Sequence, residues 1–195
     1  MRVASVALVF GMGSVALAAP TADSIHAPKA VRFGGHIVVS GQFANAVEGQ
    51  PVEVRFREFG EPTFATLALV ATDAAGRWRL SVRPTIATRY AATSLGRNAG
   101  PIAVGVRPLV TLRRRGSGFV VMVSSSASYE GRHVILQRRV GKRWKKLAKV
   151  VLRRRARRFD VHLPRGSSRV RAFLQLAEAG PGYLASASNV VSVRR

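Results

Sequence analysis

Apolar and polar residues alternate along short runs of this chain, and Gly, Pro, Asp and Ser separate the runs. Pro51–Phe59 is the clearest case: Val52, Val54 and Phe56 fall on one side of an extended backbone, Glu53, Arg55 and Arg57 on the other. Trp78, Leu80 and Val82 alternate in the same way within Arg77–Val82. Such runs predict an all-β chain with no helix beyond the first twenty residues. In the N-terminal half the expected strands are Lys29–Phe33, His36–Phe43, Pro51–Phe59, Phe64–Thr72, Arg77–Val82, Thr88–Ser94 and Ile102–Val106. In the C-terminal half they are Val110–Arg113, Phe119–Ser124, His133–Val140, Trp144–Leu152, Arg157–Leu163, Arg169–Leu174 and Ala187–Val193. Asp73-Ala74-Ala75-Gly76 reads as a tight turn, because Gly accepts positive φ and Asp can bond the backbone that follows it.

The two halves repeat. Val54 and Val134, Phe64 and Trp144, Leu67 and Leu147, Val70 and Val150, and Pro84 and Pro164 are each 80 residues apart. A fixed period of this size marks a duplicated small β-sandwich, with the boundary at Arg107-Pro108. Phe33, Phe43, Phe56, Phe64, Trp78 and Tyr90 are expected to fill the first core. Phe119, Trp144, Phe159 and Phe173 are expected to fill the second.

Several segments carry a family resemblance: Val31-Arg32-Phe33-Gly34-Gly35, Val38-Val39-Ser40-Gly41, Thr72 to Trp78, Thr88-Arg89-Tyr90, Val134 to Arg139 and Gly180 to Leu184. With them the chain resembles the small immunoglobulin-like or fibronectin-like sandwich domains of bacterial exported proteins. It is most similar to the arginine-rich tandem pairs of high-GC Gram-positive bacteria. The resemblance implies two tandem seven-stranded immunoglobulin-like sandwiches, over residues 19–107 and 108–195. It also implies a role as spacer, adhesive module or accessory unit. Tyr90 resembles a tyrosine corner, and Val170 takes that place in the second repeat.

Residues 1–18 read as a signal peptide. Arg2 is the positive start, Val3 to Leu17 the apolar stretch and Ala16-Leu17-Ala18 the small-residue cleavage site. The expected location is therefore secreted, with association to the cell wall. The apolar stretch is shorter than a membrane-spanning helix requires.

Charge adds the functional signal. The net charge of +23 is uneven: residues 1–108 hold 11 basic and 6 acidic side chains, residues 109–195 hold 21 and 3. Arg138, Arg139, Lys142, Arg143, Lys145 and Lys146 fall on neighbouring strands, with Lys149 beyond them. Arg153, Arg154, Arg155, Arg157 and Arg158 replace the Asp-Ala-Ala-Gly turn of the first repeat. Guanidinium groups bind phosphate and carboxylate through paired hydrogen bonds, so this set is the expected polyanion-binding site. The alternative is a solvated face enriched in arginine by codon bias, which blocks edge-to-edge strand pairing. Tyr183, in the Gly-Pro-Gly-Tyr loop, is a candidate recognition residue; it could equally plug the end of the core.

The remaining chemistry is sparse. There are no cysteines, which excludes disulfides, thiol nucleophiles and thiolate metal sites. His26, His36, His133 and His162 show no metal-ligand spacing, and the acidic residues form no catalytic pair. Neither enzyme activity nor a cofactor or metal is expected. Three functions stay open: a module holding anionic envelope polymers, an inert spacer or subunit of a larger exported assembly, and a polysaccharide-binding accessory protein. The basic half suits anionic wall or surface polymers, and export argues against nucleic acid as the partner in the cell.

Overall fold

The computed structural model describes residues 22–154 and 158–194. The expected signal peptide, and Arg155 and Arg157 of the basic set, lie outside them.

The described chain is almost wholly β. In the N-terminal half, β1 (Ser24–His26), β3 (Ile37–Gln42) and β6 (Arg77–Val82) form a three-stranded antiparallel sheet with β3 in the centre. The strands β2 (Ala30–Arg32), β8 (Arg97–Arg107), β7 (Thr88–Ser94), β4 (Pro51–Glu58) and β5 (Ala65–Ala71) form a five-stranded sheet in that order. Only β2 runs parallel to its neighbour there. Ile25, Val39 and Trp78 from the first sheet meet Val52, Val54, Tyr90 and Val104 from the second in one apolar cluster. Period-two burial places them: in β3, Ile37 and Val39 are buried while Val38 faces water.

The C-terminal half repeats the plan. Its smaller sheet is β13 (Arg158–Phe159), β10 (Gly118–Ser124) and β9 (Leu109–Arg115). The larger is β12 (Arg143–Val151), β11 (His133–Val140) and β14 (Ser167–Leu174), with β15 (Ser186–Ala187) and β16 (Val191–Arg194) both paired to β14. Leu112, Phe119, Val134, Leu136, Val170 and Leu174 are almost fully buried in its core. Each such side chain contributes roughly 1.5–3 kcal/mol on burial.

The register refines the repeat. Val52 faces Val70 and Val54 faces Ala68; Val134 faces Val150 and Leu136 faces Ala148. Both ladders then shift, after Val54 and after Leu136. The offset is therefore 80 on β5 and β12 but 82 on β4 and β11, so Val54 corresponds to Leu136, not to Val134.

Several sequence expectations change. The strand expected over Arg157–Leu163 is only Arg158–Phe159 within the described residues, and Ala187–Val193 is two short strands. The first half gains β1, and β8 begins five residues before the expected Ile102. A four-residue helix, α1 (Leu176–Ala179), follows β14 where none was expected. Phe33 packs on the second core, not the first, and Phe64, Trp144 and Phe173 belong to neither core. The Asp73 turn forms as read. Its carboxylate accepts the Ala75 and Arg77 amides at 2.9 and 3.0 Å, and Gly76 has φ of +70°. The Arg77 amide is the main cause of a lowered Asp73 pKa.

Only Pro108 separates β8 from β9, and the halves share packing. Val106, at the end of β8, lies in the second core, with Val31, Phe33 and Ile86 packed against it. From the other side, the Gly180–Leu184 loop docks on the first half. The Ala87 amide donates to Gly182 O at 3.0 Å, and the Leu184 amide to Val106 O at 2.9 Å. Arg107 Nη1 donates to Ala185 O at 2.6 Å.

Candidate functional site

The expected basic set does not form one patch. The structure distributes its described members over four places.

The first is the outer face of the β12–β11–β14 sheet. Because Val134, Leu136, Val170, Ala172 and Leu174 are buried, the intervening Ile135, Gln137, Arg139, Arg169, Arg171 and Phe173 point the other way. Arg139 pairs with Trp144, Gln137 with Lys146, and Ile135 with Lys149, which brings the β12 side chains onto this face. Its strand positions carry Arg139, Lys146, Lys149, Arg169 and Arg171 and no carboxylate. Glu178 stands at one end, beside His133: its carboxylate accepts the His133 amide at 2.9 Å and pairs with Nδ1 at 3.3 Å. That amide is the main reason the Glu178 pKa lies below its usual value.

The second place is the opposite side of the same sheet. Arg138 and Lys145 pair with each other on the inner register, beyond Leu136, where the core runs out. The third is the hairpin tip, where Lys142 and Arg143 are exposed. The fourth is the segment after β12, where Arg153 and Arg154 are exposed. There Arg158 is committed locally: Nη2 donates to Ser117 Oγ at 2.6 Å and to Asp160 Oδ1 at 3.0 Å. It ties the β9–β10 turn to β13.

Trp144 is the centre of the first face. The Arg171 guanidinium lies 4.2 Å from the centroid of its ring and that of Arg139 5.7 Å. Arg171 is also 5.7 Å from the Phe173 ring. Arg171 Nε donates to Gln137 Oε1 at 2.8 Å, which fixes the plane of the guanidinium. Arg139 Nε donates to Gly141 O at 3.2 Å. Burial, and then the nearby Arg139 charge, lower the Arg171 pKa.

The first half holds the counterpart. Phe64 occupies the place of Trp144, with Arg57 at 5.1 Å and Arg55 at 5.9 Å from its ring. Here, however, Arg57 Nη1 donates to Pro62 O and Arg55 Nη2 to Phe64 O. Glu53 on the same face accepts from Thr66. The strand positions of the face in the first half thus include one carboxylate, Glu53, and those of the face in the second half include none.

Arg169 and Arg171 escaped the sequence reading, although the run Arg169-Val170-Arg171-Ala172 alternates plainly. Tyr183 does not stand at an exposed tip. It is 6% exposed, belongs to the second core and bridges to Val106. A different tyrosine pins a loop: Tyr129 Oη donates to Ala179 O at 3.3 Å and accepts from Ser125 Oγ at 3.1 Å.

Among the described residues no three His, Asp or Glu side chains are grouped as a metal site would need. No helix among them is long and apolar enough to cross a membrane. No protein-family model matches this chain, and no curated protein matches it either.

Proposed function

We propose that the protein is a non-catalytic exported module of two tandem immunoglobulin-like sandwiches, held to anionic cell-envelope polymers by its C-terminal half. The supporting observation is the outer face of β12–β11–β14, where five cations stand at strand positions that carry no carboxylate. None of the ion pairs among the described residues involves Arg139, Lys146, Arg169 or Arg171. Such a face attracts a polyanion by releasing its counterions, so affinity falls steeply with salt. Binding of the full chain to a purified anionic wall polymer is therefore measured across a salt series. Neutralising Lys146, Lys149 and Arg169 with Gln is expected to flatten the slope of log affinity against log salt by roughly two to three units. An unchanged slope sinks the assignment to this face.

A second reading, a subunit joined to a larger assembly through strand pairing, has one observation in its favour. Edge strand β5 contains no charge, and Leu67 and Leu69 on it are 38% and 72% exposed. The corresponding edge β12 carries Arg143, Lys145, Lys146 and Lys149. Charged side chains, lysine above all, discourage edge pairing, so of these two edges β5 is the open one. Light scattering on the concentrated protein tests it in its simplest form, pairing with a second copy. A mass above the monomer that Leu69→Lys abolishes supports this reading, and a monomer throughout rejects that form. The neutral-polysaccharide reading has less support, because Arg171 already covers the Trp144 ring.

A further inference from the structure

Two arginines crowd one indole on the outer face of the C-terminal half, and nothing acidic on the described strands relieves them. Placing like charges together on a folded surface is unfavourable unless a ligand neutralises them. The geometry shows how each is held. Gln137 takes the Nε of Arg171, the Gly141 carbonyl takes the Nε of Arg139, and Trp144 underlies both. Stacking and a fixed Nε leave the two Nη groups of each guanidinium for an outside acceptor. Such pre-organisation removes much of the rotamer entropy that a free arginine would lose on binding.

We propose that Arg139 and Arg171, held over Trp144, form a discrete cradle for a tetrahedral phosphate group of the bound polymer. The proposal rests on the anionic-polymer reading above and adds the ligand class and its locus. A phosphate offers enough oxygen acceptors to engage both guanidinium groups at once. The charged oxygens of a phosphodiester stand on a tetrahedral centre and can face two guanidinium groups that lie in different planes, whereas a carboxylate holds both oxygens in one plane, the match of a single arginine fork. Lys146 and Lys149 lie along β12 from Trp144 and meet neighbouring phosphates of a chain as point charges. The first half supplies an internal contrast. Beside Phe64 it is Nη groups, Arg57 Nη1 and Arg55 Nη2, that are given to backbone carbonyls, and Ala91 stands at the β7 position that matches Arg171 on β14.

The two tryptophans make the test direct, since Trp78 is buried in the first core and Trp144 lies on the cradle. The full chain, labelled at the indole nitrogens, is titrated with inorganic phosphate, with poly(glycerol phosphate) and with a polyuronate of matched length. The cradle predicts that both phosphate ligands move the Trp144 signal and leave that of Trp78 in place. It predicts a polyuronate shift smaller at equal charge. Arg171→Gln and Arg139→Gln should each weaken poly(glycerol phosphate) about tenfold or more. Gln137→Leu removes no charge, so it should weaken the same ligand while leaving the salt slope unchanged. Arg153→Gln with Arg154→Gln should lower affinity for both polymers alike and leave the Trp144 shift intact. A phosphate polymer that binds without moving Trp144 overturns the cradle and leaves the broader reading standing. Equal shifts from the polyuronate overturn phosphate selectivity. No binding of any polymer overturns both.

Discussion

Phe119→Ala is expected to lower the unfolding free energy by about 3–5 kcal/mol, the range for removing a buried aromatic. Phe119 is 1% exposed, sits in the middle of the second core and stacks on Phe159 at 6.2 Å between centroids. The loss has a local consequence beyond the cavity. Among the described residues, strand β13 is held by two register pairs, Phe119 with Phe159 and Val120 with Arg158. Without the stack, β13 should detach from β10 and release Arg158 from Ser117. Denaturant melts in a Trp78→Phe background, where Trp144 is the sole indole reporter, should show a lower midpoint with an unchanged slope. Amide exchange should show Phe159 unprotected. Full protection at Phe159 with the midpoint unmoved contradicts this account.

Gly182→Val should unseat the joint between the halves. Gly182 has φ of +75°, where a β-branched residue is strained, and a Cβ there would stand 2.7 Å from Ile86 Cδ1 and 3.1 Å from Phe59 Cδ1. Left-handed strain costs about 1–2 kcal/mol and overpacking a further 1–3 kcal/mol, so the loop is expected to lift off rather than absorb both. The Ala87 amide would then lose Gly182 O, the Leu184 amide would lose Val106 O, and the Tyr183 side chain would be exposed. Hydrogen exchange at Ala87 and Leu184 should rise by orders of magnitude while core amides such as Val52 and Leu112 stay protected. Solution scattering should broaden toward a range of angles between the halves. Unchanged exchange at both amides would show that the loop does not carry the joint.

The strands were legible because half-buried antiparallel sheets write their period into the chain. Arg77–Val82, Thr88–Ser94 and His133–Val140 fall where alternation places them. The same rule misplaced Phe64 and Trp144, for a physical reason. Each precedes a bulge, at Leu67 and Leu147, where one extra residue reverses the faces. Counting by twos back from Val70 or Val150 therefore puts the aromatic in the core. In the structure it lies outside, among arginines. Phe33 misled differently, since its strand is in the first half while its ring serves the second core. No local pattern records a contact of that kind. The basic set was legible as a composition but not as a site. Arg138 and Arg139 are adjacent in sequence and lie on opposite sides of one sheet.

The Gly180–Leu184 loop has a consequence for how this chain can be cut. Gly100-Pro101 and Gly180-Pro181 lie 80 residues apart in the sequence, yet the first runs within β8 and the second opens the docking loop. Once Tyr183 and Leu184 rest on the first copy, and Val106 and Phe33 complete the core of the second, each copy finishes the other. A cut at Pro108 would leave an apolar scar on both products. Each half thus lends the other apolar surface that it would not keep alone.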